Sequence, residues 1–257
     1  MAHVLAVANQ KGGVAKTTTV ASLGVALQEL GRRVLLVDLD PQACLTFSLG
    51  VDPDTLAISV HEVLLGDLAI GDAIVATADG PSLLPATIDL ATTESMLLTR
   101  TGREYALRTA LTDLSSTVDE PFDHVIIDCP PSLGVLTING LTAATDLLIP
   151  LQCETLSHRG VGQLLNTVKD IQRMTNPGLH VLGVLPTLYD ARTLHSRDVL
   201  DDVTDRYGIS VLDPPIGRSV RFAEAPAAGR SVLATAGRTK GAQAYRQHAE
   251  RIAARAG

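Results

Sequence analysis

Cysteine is scarce: Cys44, Cys129 and Cys153 are the only three in 257 residues. They are odd in number, widely spaced and without a C-x-x-C pair, which argues against a disulfide framework, a structural zinc and a self-contained iron–sulfur site. Small buried hydrophobes are the ordinary role for such residues. Long apolar runs are missing as well. No stretch approaches the roughly 20 apolar residues of a membrane-spanning helix, and "MAHVLAVANQ" lacks the basic n-region of a signal peptide, so a cytoplasmic protein without membrane attachment is expected. Low-complexity tracts and internal repeats are absent too. With 46% hydrophobic and 19% charged residues, the chain reads as one compact domain over residues 1–257. Basic residues are unevenly withheld. Residues 34–99 contain ten acids and no Lys or Arg, whereas residues 213–257 contain eight basic side chains against three acids, a balance of 8 - 3 = +5 within a chain of net charge -7. A basic surface of that kind suits phosphate and is hidden by the overall charge.

Five runs are apolar at consecutive positions: "HVLAVA" (3–8), "RVLLVDLD" (33–40), "HVIIDCP" (124–130), "DLLIPLQ" (146–152) and "HVLGVLPT" (180–187). Unbroken runs of this length suit strands buried on both faces, as in a parallel sheet covered by helices. Helical patterns alternate with them. Val20, Leu23, Leu27 and Leu30 recur at spacings of three and four before Gly31, and Leu156, Leu164, Leu165, Val168 and Ile171 form a stripe that ends at "NPG". Strands alternating with helices predict an α/β fold, a doubly wound, mostly parallel sheet with helices on both faces. Segments 50–59 and 77–86, rich in Asp, Gly, Pro and Thr, are expected to be surface loops.

Ligands bind such sheets beyond the carboxyl ends of the strands. Four strand ends carry one chemistry. "NQKGGVAKTTT" (9–19) follows the first strand and precedes a helix, the context of a phosphate-binding loop. Gly12 and Gly13 let the backbone curl around phosphates, Lys16 reaches the β- and γ-oxygens, Thr17 offers a hydroxyl to Mg²⁺, and Thr18 donates toward the α-phosphate. Asp38 and Asp40, two apart near the end of the second strand, are expected to point the same way, above the metal and an attacking water. Asp128 follows "VII" in the position of a Walker B carboxylate.

"KGGVAKTT", "VLLVDLDPQ", "VIIDCPPSLG", "LIPLQCET", "RSVRFAEAP" and "GAQAYRQHAE", in order over nearly the whole chain, together resemble the ParA/MinD family of deviant Walker A P-loop ATPases, and within it the short chromosome-partitioning ParA (Soj) type. The resemblance implies an ATP-sandwich homodimer in which Lys11, the signature lysine, reaches the partner subunit's phosphates. It also implies that Gly12, Gly13, Val14, Ala15, Lys16, Thr17 and Thr18 cradle ATP, that Asp40 orients the hydrolytic water, and that Thr17, Asp38, Asp40 and Asp128 serve Mg²⁺. Non-specific DNA binding by the ATP-bound dimer through Arg218 and Arg221, with Arg192, Arg230, Arg238, Lys240 and Arg246 extending the patch, follows from the same likeness. So do a ParB-type activator and a nucleoid-associated location. The chain starts directly at its first strand, so the N-terminal helix-turn-helix domain of longer ParA proteins is expected to be lacking.

Two departures stand out. Ala15 replaces the glycine that usually precedes the phosphate lysine, and a left-handed backbone there would cost alanine about 1 to 2 kcal/mol. Gly217 and Ser219 stand where the family's proline and asparagine help seat adenine. The alternatives are a MinD-like positioning ATPase, which needs a bulky amphipathic C-terminal helix, and a metabolic ATP-dependent enzyme of the dethiobiotin-synthetase type, in which "RSVRFAEAP" has no role.

Overall fold

In every long strand, neighbouring residues enter different cores. Val4, Ala6 and Ala8 join one buried cluster, while Leu5 and Val7 join another; Leu35 and Val37 face the first, Val34 and Leu36 the second. That is the period-two geometry of a strand covered on both faces. The computed structural model describes residues 2–117, 120–154 and 157–255.

The strands are β1 (His3–Val7), β2 (Val34–Asp38), β3 (Val75–Ala76), β4 (Ser82–Leu84), β5 (His124–Asp128), β6 (Asp146–Gln152) and β7 (His180–Thr187). They form one seven-stranded sheet in the order β3-β4-β2-β5-β1-β6-β7. Among the described residues only the short β3–β4 pairing is antiparallel; the others are parallel. The five apolar runs thus become five strands. Segment 77–86 departs from expectation, because it contains β4, which pairs with Leu35–Val37 of β2. Leu83 and Leu84 are both fully buried, one in each core. Three residues are too short a run to show a period. Within 50–59 only a short turn of helix, Pro53–Thr55, interrupts the loop.

Helices Lys16–Glu29, Cys44–Ser48, Val232–Ala236 and Lys240–Arg255 cover one face, and Val60–Leu65, Ala106–Thr117, Val135–Ala143, Ser157–Met174 and Leu194–Tyr207 the other. Helix Lys16–Glu29 ends as its pattern predicts, with Gly31 at φ 76°, a conformation glycine adopts without a Cβ penalty. Mid-helix, Gly24 lets the backbone settle onto β2: a Cβ there would lie 2.6 Å from Leu36 Cδ2. In the long helix after β6, Leu164, Val168 and Ile171 are buried; Leu156 lies outside the described residues.

Helix Lys240–Arg255 buries Ala242, Ala244, Tyr245, Ala249 and Ile252, and it packs against helix Lys16–Glu29. Tyr245 is fully buried, its ring edge-on to Phe222 and its hydroxyl 3.0 Å from Thr19 Oγ1. The apolar side of this helix is therefore used within the fold. No helix among the described residues is long and apolar enough to cross a membrane.

Candidate functional site at the carboxyl edge of the sheet

Strain marks the site. Among the described residues three non-glycines have positive φ: Ala15 (63°), Ala43 (50°) and Leu188 (50°). Ala15 follows β1, Ala43 follows β2 and Leu188 follows β7, so all three lie past the same edge of the sheet. Such conformations persist only where surrounding structure enforces them, and they gather at functional sites. Ala15 does take the left-handed backbone that the sequence put in question, as the residue capping helix Lys16–Glu29.

The loop from Asn9 to Ala15 is held at both ends. Asn9, 2% exposed, donates from Nδ2 to the Pro150 carbonyl of β6 at 2.7 Å and accepts at Oδ1 from the Lys11 N–H at 3.0 Å. Thr187 Oγ1, at the end of β7, donates to the Val14 carbonyl at 2.9 Å. Between these ties, none of the backbone N–H groups from Gly12 to Thr18 donates a hydrogen bond among the described residues. Gly13 sits at φ 73°, and a Cβ on Gly12 or Gly13 would meet nothing within 4 Å. Orphan N–H groups around an open hollow at a helix N-terminus form an anion cradle. Across it, Lys16 Nζ donates to the Lys11 carbonyl at 3.2 Å. Burial lowers the Lys16 pKa, opposed by the nearby Asp128 and Asp40 carboxylates.

Asp38 and Asp128 are cross-strand partners at the ends of β2 and β5. Thr17 Oγ1 donates to Asp128 Oδ2 at 2.7 Å, whereas Asp128 Oδ1 is buried with no partner. Burial raises the Asp128 pKa well above the carboxylate range, with the charge of Asp38 adding to it. A buried carboxylate oxygen left open beside a threonine hydroxyl, under a cradle of N–H groups, fits a divalent cation held between phosphate and protein.

Asp38 departs from its expected place. Its Oδ2 accepts from Thr46 N and Oγ1 at 2.9 and 2.8 Å, and its Oδ1 accepts from Asp40 N at 3.1 Å. Both oxygens are engaged, so this side chain braces the turn after β2. Burial pushes its pKa up to about 6. The strand ends at Asp38, so strand alternation does not orient Asp40. Asp40 instead belongs to the following turn, its Oδ1 accepting from Gln42 N at 2.9 Å.

Lys11 points away from its own cradle. Its ammonium, 40% exposed, pairs with Glu154 beyond β6. Hydrogen bonding and charge from Lys11 hold the exposed Glu154 below the usual carboxylate range, with a further contribution from Arg218. Arg218 therefore lies at the same edge as Lys11. The segment carrying Gly217 and Ser219 runs beside the end of β7, with Tyr189 N donating to the Ile216 carbonyl and Arg218 N to the Tyr189 carbonyl at 3.0 and 3.3 Å. Ser219 Oγ accepts from Arg221 N at 3.3 Å.

The basic C-terminal set is less free than its charge count suggests. Arg221 pairs with Glu224, Arg246 with Glu29, Arg230 with Asp79 and Arg192 with Asp190. Arg218, Arg238 and Lys240 are exposed and make no ion pair among the described residues. Arg192, Arg230 and Arg246, expected to extend the patch, thus each sit beside a carboxylate, as Arg221 does.

Sequence reading did not single out Asn9, Thr46 or Thr187, and met Glu154 only inside a motif. A polar residue directly before or after a buried strand was the available signal.

A parallel sheet with a glycine loop, a buried lysine and a threonine–aspartate pair at one edge defines a P-loop nucleotide-binding protein. A family model described as an AAA domain matches residues 2–181. The chain is 42% identical to the sporulation initiation inhibitor protein Soj of Bacillus subtilis over 99% of both chains. Its identity to the chromosome partitioning protein ParA of Caulobacter vibrioides is also 42%, over 98% of this chain and 94% of the relative. A Mycobacterium smegmatis protein named cobyrinic acid a,c-diamide synthase, solved with bound ADP and magnesium, superposes with a TM-score of 0.86 at 64% identity, covering 97% of this chain and 93% of that one. The chain belongs to the ParA/MinD family of P-loop ATPases.

Proposed function

We propose that this ATPase is a dimeric partitioning switch: ATP and Mg²⁺ bind at the edge of the sheet, two subunits close on them, and the closed dimer holds DNA non-specifically until a ParB-type partner accelerates hydrolysis. The observation that carries the reading is the division of labour between two lysines. Lys16 lies across its own cradle, while Lys11, rooted in the same loop, extends to the rim where a second subunit would meet it. A cation brought in from a partner stabilises charge on the transferred phosphoryl group, as an arginine finger does.

Within one subunit, the N–H groups of Gly12–Thr18 hold the phosphates and Lys16 neutralises their β- and γ-oxygens. Thr17 and Asp128 hold the metal, which when bound neutralises phosphate charge. Asp40, whose Oδ2 accepts no hydrogen bond among the described residues, orients the attacking water. Gly217 and Ser219 border the base. Arg218 and Arg221 contact DNA phosphates, as proteins named Soj and ParA lead one to expect, and the protein works in the cytoplasm on the nucleoid.

The test is DNA retardation with ATP, with ADP and without nucleotide, at two salt concentrations, using Asp40→Ala to block hydrolysis. ATP-loaded protein is expected to bind far more DNA than the ADP form, with binding falling steeply as salt rises. Equal binding in both nucleotide states would sink the DNA reading.

One observation favours a second reading: the name of the 64% identical structure points to a metabolic amidation that consumes ATP. Assaying ATP turnover with cobyrinic acid, in parallel with DNA, separates the two. Stimulation by the corrinoid and not by DNA would transfer the function to that class.

A further inference from the structure

At the opposite edge of the sheet, where the strands begin, lies a cavity of about 620 Å³ that the nucleotide chemistry does not use. It opens beside His124, the first residue of β5, and beneath helix Ala106–Thr117. Five residues of β1 separate this edge from the phosphate loop, about 16 Å at 3.3 Å per residue. Its volume lies within the range of small-molecule sites.

The lining divides into two kinds. Leu111, Leu114 and Phe122 supply an apolar wall, and Arg32, Arg108 and His124 supply polar groups. The other polar side chains are already committed: Asn176 Nδ2 donates to the Leu141 and Ala144 carbonyls, Thr145 Oγ1 to the Val4 carbonyl, and Asp123 Oδ2 accepts from Arg33 N. The two arginines keep donors to spare. The Arg32 side chain makes no hydrogen bond or ion pair among the described residues. Arg108 spends one N–H on the Thr175 carbonyl at 3.3 Å and makes no ion pair there. His124 is 1% exposed, and its Nδ1 is buried without a partner. Burial, with His3 packed edge-on at 5.4 Å, holds His124 down at about 4. The imidazole is therefore neutral at physiological pH and adds no charge to the cavity wall.

Two guanidinium groups against one engaged carboxylate set the charge of a ligand as negative, and the leucine–phenylalanine wall sets its body as apolar. We propose that this cavity is a second ligand site, for a small amphipathic organic carboxylate whose head group meets Arg32 and Arg108 at the mouth and whose apolar body lies on Leu111, Leu114 and Phe122. The site is independent of the partitioning reading and of what occupies the phosphate loop.

The chain has no tryptophan, so Phe122→Trp places a lone reporter in the cavity wall. Octanoate is titrated into this variant with ADP and Mg²⁺ saturating, and octylamine serves as the cationic counterpart. A saturable emission change is expected with octanoate at millimolar concentration, none with octylamine, and about tenfold weaker binding for Arg32→Ala and Arg108→Ala. In the parent protein, octanoate should shift the His124 imidazole resonances, a measurement that stands even where the reporter variant folds poorly. An equal response to octylamine, no saturation by about 10 mM, or unchanged affinity in both arginine variants would overturn the assignment.

Discussion

At the residue scale, Asp38 shows how a motif position can be right while its role differs. The motif places two aspartates beyond β2, and the expectation that both face the metal rests on strand alternation. The strand ends at Asp38, two residues short of Asp40. Asp38 is then closed off by Thr46 and by the Asp40 N–H, eight and two residues away in the chain. A hydroxyl eight residues downstream has no fixed spacing to announce it. The burial has a pH consequence. Asp38 titrates near pH 6 in the folded protein against about 4 when unfolded, so the folded state binds the extra proton between those values. Stability from this group is therefore greatest below about pH 4 and declines as pH rises to about 6. Asp38→Asn carries no titrating proton. Denaturant melts from pH 4 to 7 are expected to show the parent losing on the order of 2 kcal/mol relative to the variant as pH rises, and a pH-independent gap would refute this account.

The elements were the most legible part, because each buried strand is a run that no amphipathic helix tolerates. β4 escaped, being three residues long in a Pro/Gly-rich setting, and its membership in the sheet depends on pairing with β2, which is non-local. The helices closing the second core were visible as pattern, but their docking was not. Tyr245 seats helix Lys240–Arg255 on helix Lys16–Glu29 through Thr19. Thr19 Oγ1 also donates to the Ala15 carbonyl at 2.7 Å, so removing the tyrosine hydroxyl strips Thr19 of only one of two partners. Tyr245→Phe is accordingly expected to lower unfolding free energy by about 1 kcal/mol, the low end for a buried hydrogen bond, with turnover unchanged. A large loss of ATPase activity at full stability would show that the contact does more than dock a helix.

For the whole molecule, the sequence made the phosphate loop plain and left the second subunit to be argued from Lys11. The structure adds the lysine's companion within the same chain. An exposed ion pair of this kind is weak and screened by solvent, enough to hold Lys11 at rest and too little to resist a triphosphate. Glu154→Gln weakens the hold. Sedimentation with a non-hydrolysable ATP analogue is expected to show dimer formation at lower protein concentration than in the parent. Weaker dimerisation in the variant would mean that Glu154 serves the closed state and not the open one. The basic surface was the least legible feature at this scale, because counting arginines along the chain does not reveal Asp79 or Glu29 folded against them.

Ala15 holds its left-handed backbone without the dispensation of glycine. Alanine codons become glycine codons when a single base changes, so the relaxed form of this loop is a nearest neighbour in mutational space. The gene thus keeps within one replication error a change that trades a methyl group for backbone ease at the helix that receives phosphate.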